Sequence, residues 1–163
     1  MAIIAGLLYG GLRRPSPDKA NAVVGALAPE FTLTDISGGQ LSLGQFRGRN
    51  VLIVFWASWC PPCRAEMASL QLLHNSNTVK NLAILAVNAG ETQGQVAAFV
   101  SQQKLTLPVL LDVENDLQQL YGVYQLPLAF LVDSQGKIVA RHLGMRDWNS
   151  TEAIAALNRL GRE

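Results

Sequence analysis

Six apolar residues run without a break from Val51 to Trp56, and the chain then turns small, polar and cysteine-bearing. An apolar run with no alternation reads as a strand buried on both faces. Leu82 to Val87 is a second such run. Between them, Arg64 to His74 lacks Gly and Pro and sets Met67, Leu70 and His74 on one stripe, which predicts a helix. Upstream, Ala20 to Pro29 reads as linker or a short helix. Phe31 to Thr34 and Leu41 to Leu43 alternate around Ser37-Gly38-Gly39, so they predict a hairpin. Downstream, Gln93 to Gln103 predicts a helix with Val96, Phe99 and Val100 inward. Pro108 to Leu111 predicts a short strand, and Asp116 to Tyr121 a helical turn closed by Gly122. Ala129 to Val132 and Ile138 to Leu143 predict a hairpin around Asp133-Ser134-Gln135-Gly136. Thr151 to Leu160 predicts a last helix capped by Ser150, with Ile154, Leu157 and Leu160 inward. Strands alternating with helices imply an α/β fold with a mixed sheet covered on both faces.

The chemistry gathers where the first buried run ends, at Trp59-Cys60-Pro61-Pro62-Cys63, which holds both cysteines of the chain. A strand followed by a helix places the pair at a helix N-terminus. Unpaired N–H groups and about half a positive charge there favour thiolate, the reactive form of a group whose ordinary pKa is about 8.5. With Cys60 as N-cap, Pro61 and Pro62 fill the first two helical positions, where a missing N–H costs little. The Cys63 N–H then points back at the Cys60 sulfur. Cys60 is expected to be the exposed, attacking thiol and Cys63 the buried resolving thiol.

Other readings of two cysteines are weaker. A structural zinc site needs four ligands, and His74 and His142 stand singly, so no metal is expected. A c-type haem site needs His after the second cysteine, where Arg64 stands. Two ordinary buried cysteines are the plain alternative. The 163 residues suffice for one domain with a real core, and a net charge of +1 with no basic patch argues against nucleic acid.

Residues 1–27 are expected to be an apolar segment plus linker, ahead of a folded domain over 28–163. Met1 to Leu12 is apolar or glycine apart from Tyr9, and Arg13-Arg14 follow. Twelve helical residues reach about 18 Å, short of the roughly 30 Å hydrocarbon core. Three readings compete: the end of a longer membrane anchor, which is favoured; a poor signal segment; and a greasy segment packed on protein. Arg13-Arg14 counts against a domain outside the cytoplasm.

Phe55-Trp56-Ala57-Ser58-Trp59-Cys60-Pro61-Pro62-Cys63-Arg64 resembles the active site of the thioredoxin superfamily, nearest its membrane-tethered or exported TlpA/ResA/CcmG-like branch. The resemblance runs from about Ala28 to Leu160. Gly122-Val123-Tyr124-Gln125-Leu126-Pro127 resembles the segment bearing the family's cis-proline, Phe130 to Asp133 with Gly136 to Val139 its closing hairpin, and Ala86 to Glu91 its central insert. It implies a thioredoxin fold with an N-terminal hairpin extension and a central insert. It also implies a cis Pro127 facing the disulfide, with Leu126 pairing with substrate as an added strand. Trp59, Pro61 and Pro62 are expected to flank the substrate.

Two departures matter. Val54 stands where thioredoxin buries an Asp, so another acid must serve the resolving cysteine. In the ResA-like branch carboxylates match Glu66 and Glu91, and one or both are expected to hold or shuttle the Cys63 proton. A solvated first-turn charge and a polar loop residue are the plain alternatives. Leu128-Ala129 replaces threonines of many relatives, which implies a more apolar groove. No role is expected of His74 or His142, and Trp148 is expected to be packing. The resemblance implies a thiol–disulfide oxidoreductase outside the cytoplasm, using no cofactor but its own disulfide, re-reduced by a membrane electron donor and acting as a monomer. Cytochrome c precursors or copper-site cysteines are its implied substrates. A thiol peroxidase is one alternative, although Ala57 stands where peroxiredoxins usually keep Thr or Ser. A peptide-binding module is the other.

Overall fold

A computed structural model describes residues 22–160. The expectations for the apolar run at 1–12 therefore lie outside the described residues. Two short strands open the fold, β1 (Thr32–Asp35) and β2 (Gln40–Ser42), followed by a 3-10 turn at Leu43–Phe46. Then come β3 (Asn50–Trp56), α1 (Pro61–Ser76), β4 (Leu82–Ala89), α2 (Gln93–Gln103), β5 (Val109–Asp112), α3 (Asp116–Leu120), β6 (Leu128–Val132), β7 (Ile138–Leu143) and α4 (Thr151–Leu160). The strands form one seven-stranded mixed sheet in the order β2-β1-β5-β4-β3-β6-β7. The N-terminal hairpin extends it beyond β5.

Every residue of β3 is buried because the strand is central and covered twice. It pairs in parallel with β4, Val51 opposite Ala83 through Trp56 opposite Asn88, and antiparallel with β6. Leu52, Val54 and Trp56 face one core, with Cys63, Met67, Leu70 and Leu73 of α1, Val96 and Phe99 of α2, and Ala153 and Leu157 of α4. Val51, Ile53 and Phe55 face the other, with Leu117, Tyr121 and Val123 around α3 and Ala22 and Ala28 before β1. Burying an aliphatic or aromatic side chain is worth about 1.5–3 kcal/mol, so this double cover holds β3 and its trailing turn rigid.

Three expectations are corrected. The segment over 20–29 forms no helix where it is described; Leu27 bridges to Lys137 and Gly25 N donates to Ile138 O, so it lies across the closing hairpin. The inward stripe of α1 ends on Leu73, and His74 is exposed. As the Cys60 cap predicts, α1 begins at Pro61, and it stops at Asn77, whose φ of 50° breaks the helix. In α4, Ala153 and Leu157 are the buried pair, with Ile154 and Leu160 only partly covered. The Ser150 cap is present: its Oγ accepts from Ala153 N at 3.2 Å.

Candidate active site

β3 ends at Trp56, and Ala57 to Trp59 carry the chain into α1. Cys60 is the N-cap of α1 in extended conformation, with prolines at the first two helical positions. Its sulfur accepts from Cys63 N at 3.4 Å and is disulfide-bonded to Cys63, with Cα atoms 5.2 Å apart. Both cysteines are nearly covered, Cys60 at 4% exposure and Cys63 at 0%. Cys60 is thus less exposed than expected, since its sulfur is tied into the first turn of the helix. It is still the member of the pair that borders the surface groove.

That groove, about 860 Å³, runs between Trp59, the β4 end, α3 and the loop before β6. Leu126-Pro127 is a cis peptide, and Leu126 lines the groove beside Trp59 and Cys60. Trp59 is 69% and Tyr124 84% exposed, so two aromatic faces stand open at the rim. Leu128 and Ala129 do not line the groove; both are buried in β6. The groove is uncharged rather than simply apolar. Asn115, Gln118, Gln119 and Gln125 line it, and among the described residues none of its lining side chains carries a charge. Pro61 and Pro62 are exposed on the opening turn of α1.

Glu91 is a buried, fully engaged acceptor. Its Oε2 accepts from Ser58 N and from Asn88 Nδ2, each at 2.7 Å, and its Oε1 accepts from the Ser58 hydroxyl. The carboxylate therefore clamps the turn that leads into Cys60. Gly90 before it has φ +73°, and a Cβ there would meet the Asn115 side chain at 2.8 Å, so only glycine fits the approach of β4 to α3.

Glu66 is 1% exposed, three residues after Cys63 on α1. Its Oε1 accepts from Trp148 Nε1 at 2.6 Å and from Arg146 N at 3.3 Å. Its Oε2 is buried with no partner among the described residues. Burial pushes this carboxyl up to about 7, and the two N–H donors only partly offset that. A carboxyl poised there takes and releases a proton near neutral pH. Sequence reasoning treated Trp148 as packing and missed its bond to Glu66, which joins residues 82 positions apart. Ser58 and Asn88 were also missed. A signal for Trp148 existed only in its being a donor-bearing residue ahead of a helix.

A family profile described as AhpC/TSA matches residues 24–141. The thiol–disulfide oxidoreductase ResA of Geobacillus thermodenitrificans is 35% identical over 138 residues, which cover 85% of this chain and 79% of that protein. The chain belongs to this family, among its ResA-like thiol–disulfide oxidoreductases. ResA of Bacillus thuringiensis subsp. konkukian is 38% identical over 71% of this chain and 67% of its own. Among solved structures, a chain from Chlorobium tepidum assigned as thiol:disulfide interchange protein DsbE superposes with TM-score 0.76 at 30% identity, covering 84% of this chain and 99% of that one. StoA from Bacillus subtilis superposes with TM-score 0.67 at 28% identity, covering 74% and 92%. The thioredoxin-type fold and the oxidoreductase class implied by the family resemblance are both met.

Proposed function

We propose that this oxidoreductase is a protein-disulfide reductase working outside the cytoplasm, with Cys60 as nucleophile and Cys63 as resolving thiol. The observation that carries the reading is the Cys60 sulfur at the N-terminus of α1 beside an uncharged groove. Cys60 thiolate attacks one sulfur of a substrate disulfide. That S–S bond breaks, a mixed disulfide forms, and the substrate's other sulfur leaves as thiolate and takes a proton. Cys63 loses its proton, attacks the Cys60 sulfur and closes the internal disulfide. The second substrate thiolate leaves and is protonated. Two electrons pass from the dithiol to the substrate.

Glu66 is the group assigned to hold the Cys63 proton, one helical turn along α1 and near neutral in proton affinity. Glu91 is assigned the clamp on Ser58, because its oxygens are taken up by three donors. A reductant is favoured over an oxidant by the modest support for the Cys60 thiolate. Oxidants of this class owe their strength to a stabilised reduced form. Here the Cys63 N–H at 3.4 Å is the donor found on that sulfur, and among the described residues no charged side chain lines the groove.

Substrate segments lie extended beside Leu126 and cis-Pro127, against Trp59, with Pro61 and Pro62 at the opening turn. The implied substrates are cysteine pairs of exported proteins, such as cytochrome c precursors or copper-site proteins. Re-reduction falls to a membrane electron donor, and the apolar run at 1–12 is assigned a tether. No cofactor or metal is assigned beyond the disulfide itself. A thiol peroxidase is disfavoured because Ala57 offers no hydroxyl and the Ser58 hydroxyl is held by Glu91. The test pairs two variants on an oxidised peptide. Cys60→Ser is expected to abolish reduction, and Cys63→Ser to accumulate a mixed disulfide through Cys60. A wild-type protein that holds the peptide as tightly as Cys60→Ser/Cys63→Ser does, yet reduces none of it, would move the assignment to a binding module.

A further inference from the structure

We propose that Trp148 is a positioning residue for the dithiol reaction: its indole N–H, with the Arg146 backbone N–H, commits Glu66 Oε1 to accepting and leaves Oε2 as the oxygen that takes up and returns the proton. The inference rests on the reading of Glu66 as holder of the Cys63 proton.

An indole N–H and a backbone N–H can donate and cannot accept. The 2.6 Å bond from Trp148 Nε1 and the 3.3 Å bond from Arg146 N both end on Oε1. An oxygen facing two such donors has no acceptor to which a proton of its own could point. Oε2, buried and unpartnered among the described residues, is left to carry it.

Trp148 is itself held in place. Its backbone N donates to Ser69 Oγ at 3.1 Å, and that hydroxyl donates to Glu66 O at 2.8 Å. The segment after β7 is thus stapled to α1 at Glu66 and again at Ser69, three residues on. The Arg146 guanidinium stands 5.2 Å over the indole ring, and the His142 ring meets it edge-on at 6.1 Å. A cation over an indole draws on its electron density, which makes the ring N–H a better donor.

Titratable and charged groups stand around the carboxyl on several elements. α1 contributes Cys63 one turn back, and Arg64, whose guanidinium lies 5.8 Å from the Phe99 ring. The bonding segment contributes Arg146 and exposed Asp147, and β7 contributes His142 through Trp148. α2 turns the apolar Val96 and Phe99 to this core, and α4 turns Ala153 and Leu157.

A hydrogen bond to the carboxylate favours its ionised form, so deleting the indole donor raises the proton affinity of Glu66. The test titrates the Glu66 side-chain carbon by 13C NMR in the oxidised full chain, and in parallel follows the pH profile of peptide-disulfide reduction. Wild type is compared with Trp148→Phe, with Trp148 replaced by 3-benzothienylalanine, which has sulfur where indole has N–H and keeps its shape, and with Glu66→Gln. Both Trp148 changes are expected to raise the Glu66 midpoint by about one pH unit or more, tenfold in proton affinity, and to carry the rate midpoint with it. An unmoved NMR midpoint in the benzothienyl protein overturns the role of Trp148, whatever Glu66→Gln does. A raised NMR midpoint with a rate profile unmoved by either Trp148 change and by Glu66→Gln overturns the reading of Glu66, and Trp148 falls with it.

Discussion

Replacing Glu66 by Gln removes a buried proton-binding site and leaves the neighbouring bonds nearly intact, since the amide oxygen still accepts from Trp148. The gap between an ordinary carboxyl at 4.5 and this one at about 7 is worth about 3 kcal/mol, at roughly 1.4 kcal/mol per pH unit. Its sign follows from proton linkage. Between these two values the native state holds a proton that the unfolded chain has released, so stability falls as pH rises. The contribution of Glu66 is complete below pH 4.5 and lost as pH passes 7. Urea denaturation of the oxidised protein is the assay, because a disulfide does not titrate. The stability of wild type minus that of Glu66→Gln is expected to fall by about 3 kcal/mol across that window, the other groups cancelling in the difference. A difference flat to about 0.5 kcal/mol would refute a raised Glu66 and the buried proton with it.

Ser58→Ala deletes the hydroxyl donor to Glu91 and is expected to cost about 2 kcal/mol in urea denaturation, as charge-assisted bonds do. Tyr121→Phe removes the bond from its hydroxyl to Pro29 O at 2.7 Å and is expected to cost about 1 kcal/mol in the same assay. Because no charged side chain among the described residues lines the groove, reduction of a neutral peptide disulfide is expected to change less than about twofold between low and high salt. A steep salt dependence would place charged contacts in the encounter.

What could be read from sequence was what is local. The unbroken run Val51 to Trp56 marks a doubly covered strand, and two prolines between cysteines mark a helix start, both from neighbouring residues alone. The cis state of Pro127 came through family resemblance, since few X-Pro bonds are cis. The site's polar wiring was not legible in this way. Glu66 meets Trp148 across 82 positions and Ser58 meets Glu91 across 33, and no periodicity encodes such partners. Leu128 and Ala129 misled for a related reason. Their neighbours in sequence bear the cis-proline, but β6 pairs on both edges and carries both side chains inward. The groove is instead shaped by carboxamides on and around α3, brought across by the β4–β5 crossover. Likewise His74 gave way to Leu73 because the packing stripe of α1 is set by the sheet beneath it, to which Cys63, Met67 and Leu70 also turn.

The reductase assignment is tested most directly by the reduction potential of the Cys60–Cys63 couple, titrated against dithiothreitol or glutathione and read through tryptophan fluorescence, with Trp59 beside the disulfide as a reporter. A value near or below about −250 mV is expected, in the range of thioredoxin at roughly −270 mV. A value near −120 mV would mark an oxidant and contradict the assignment.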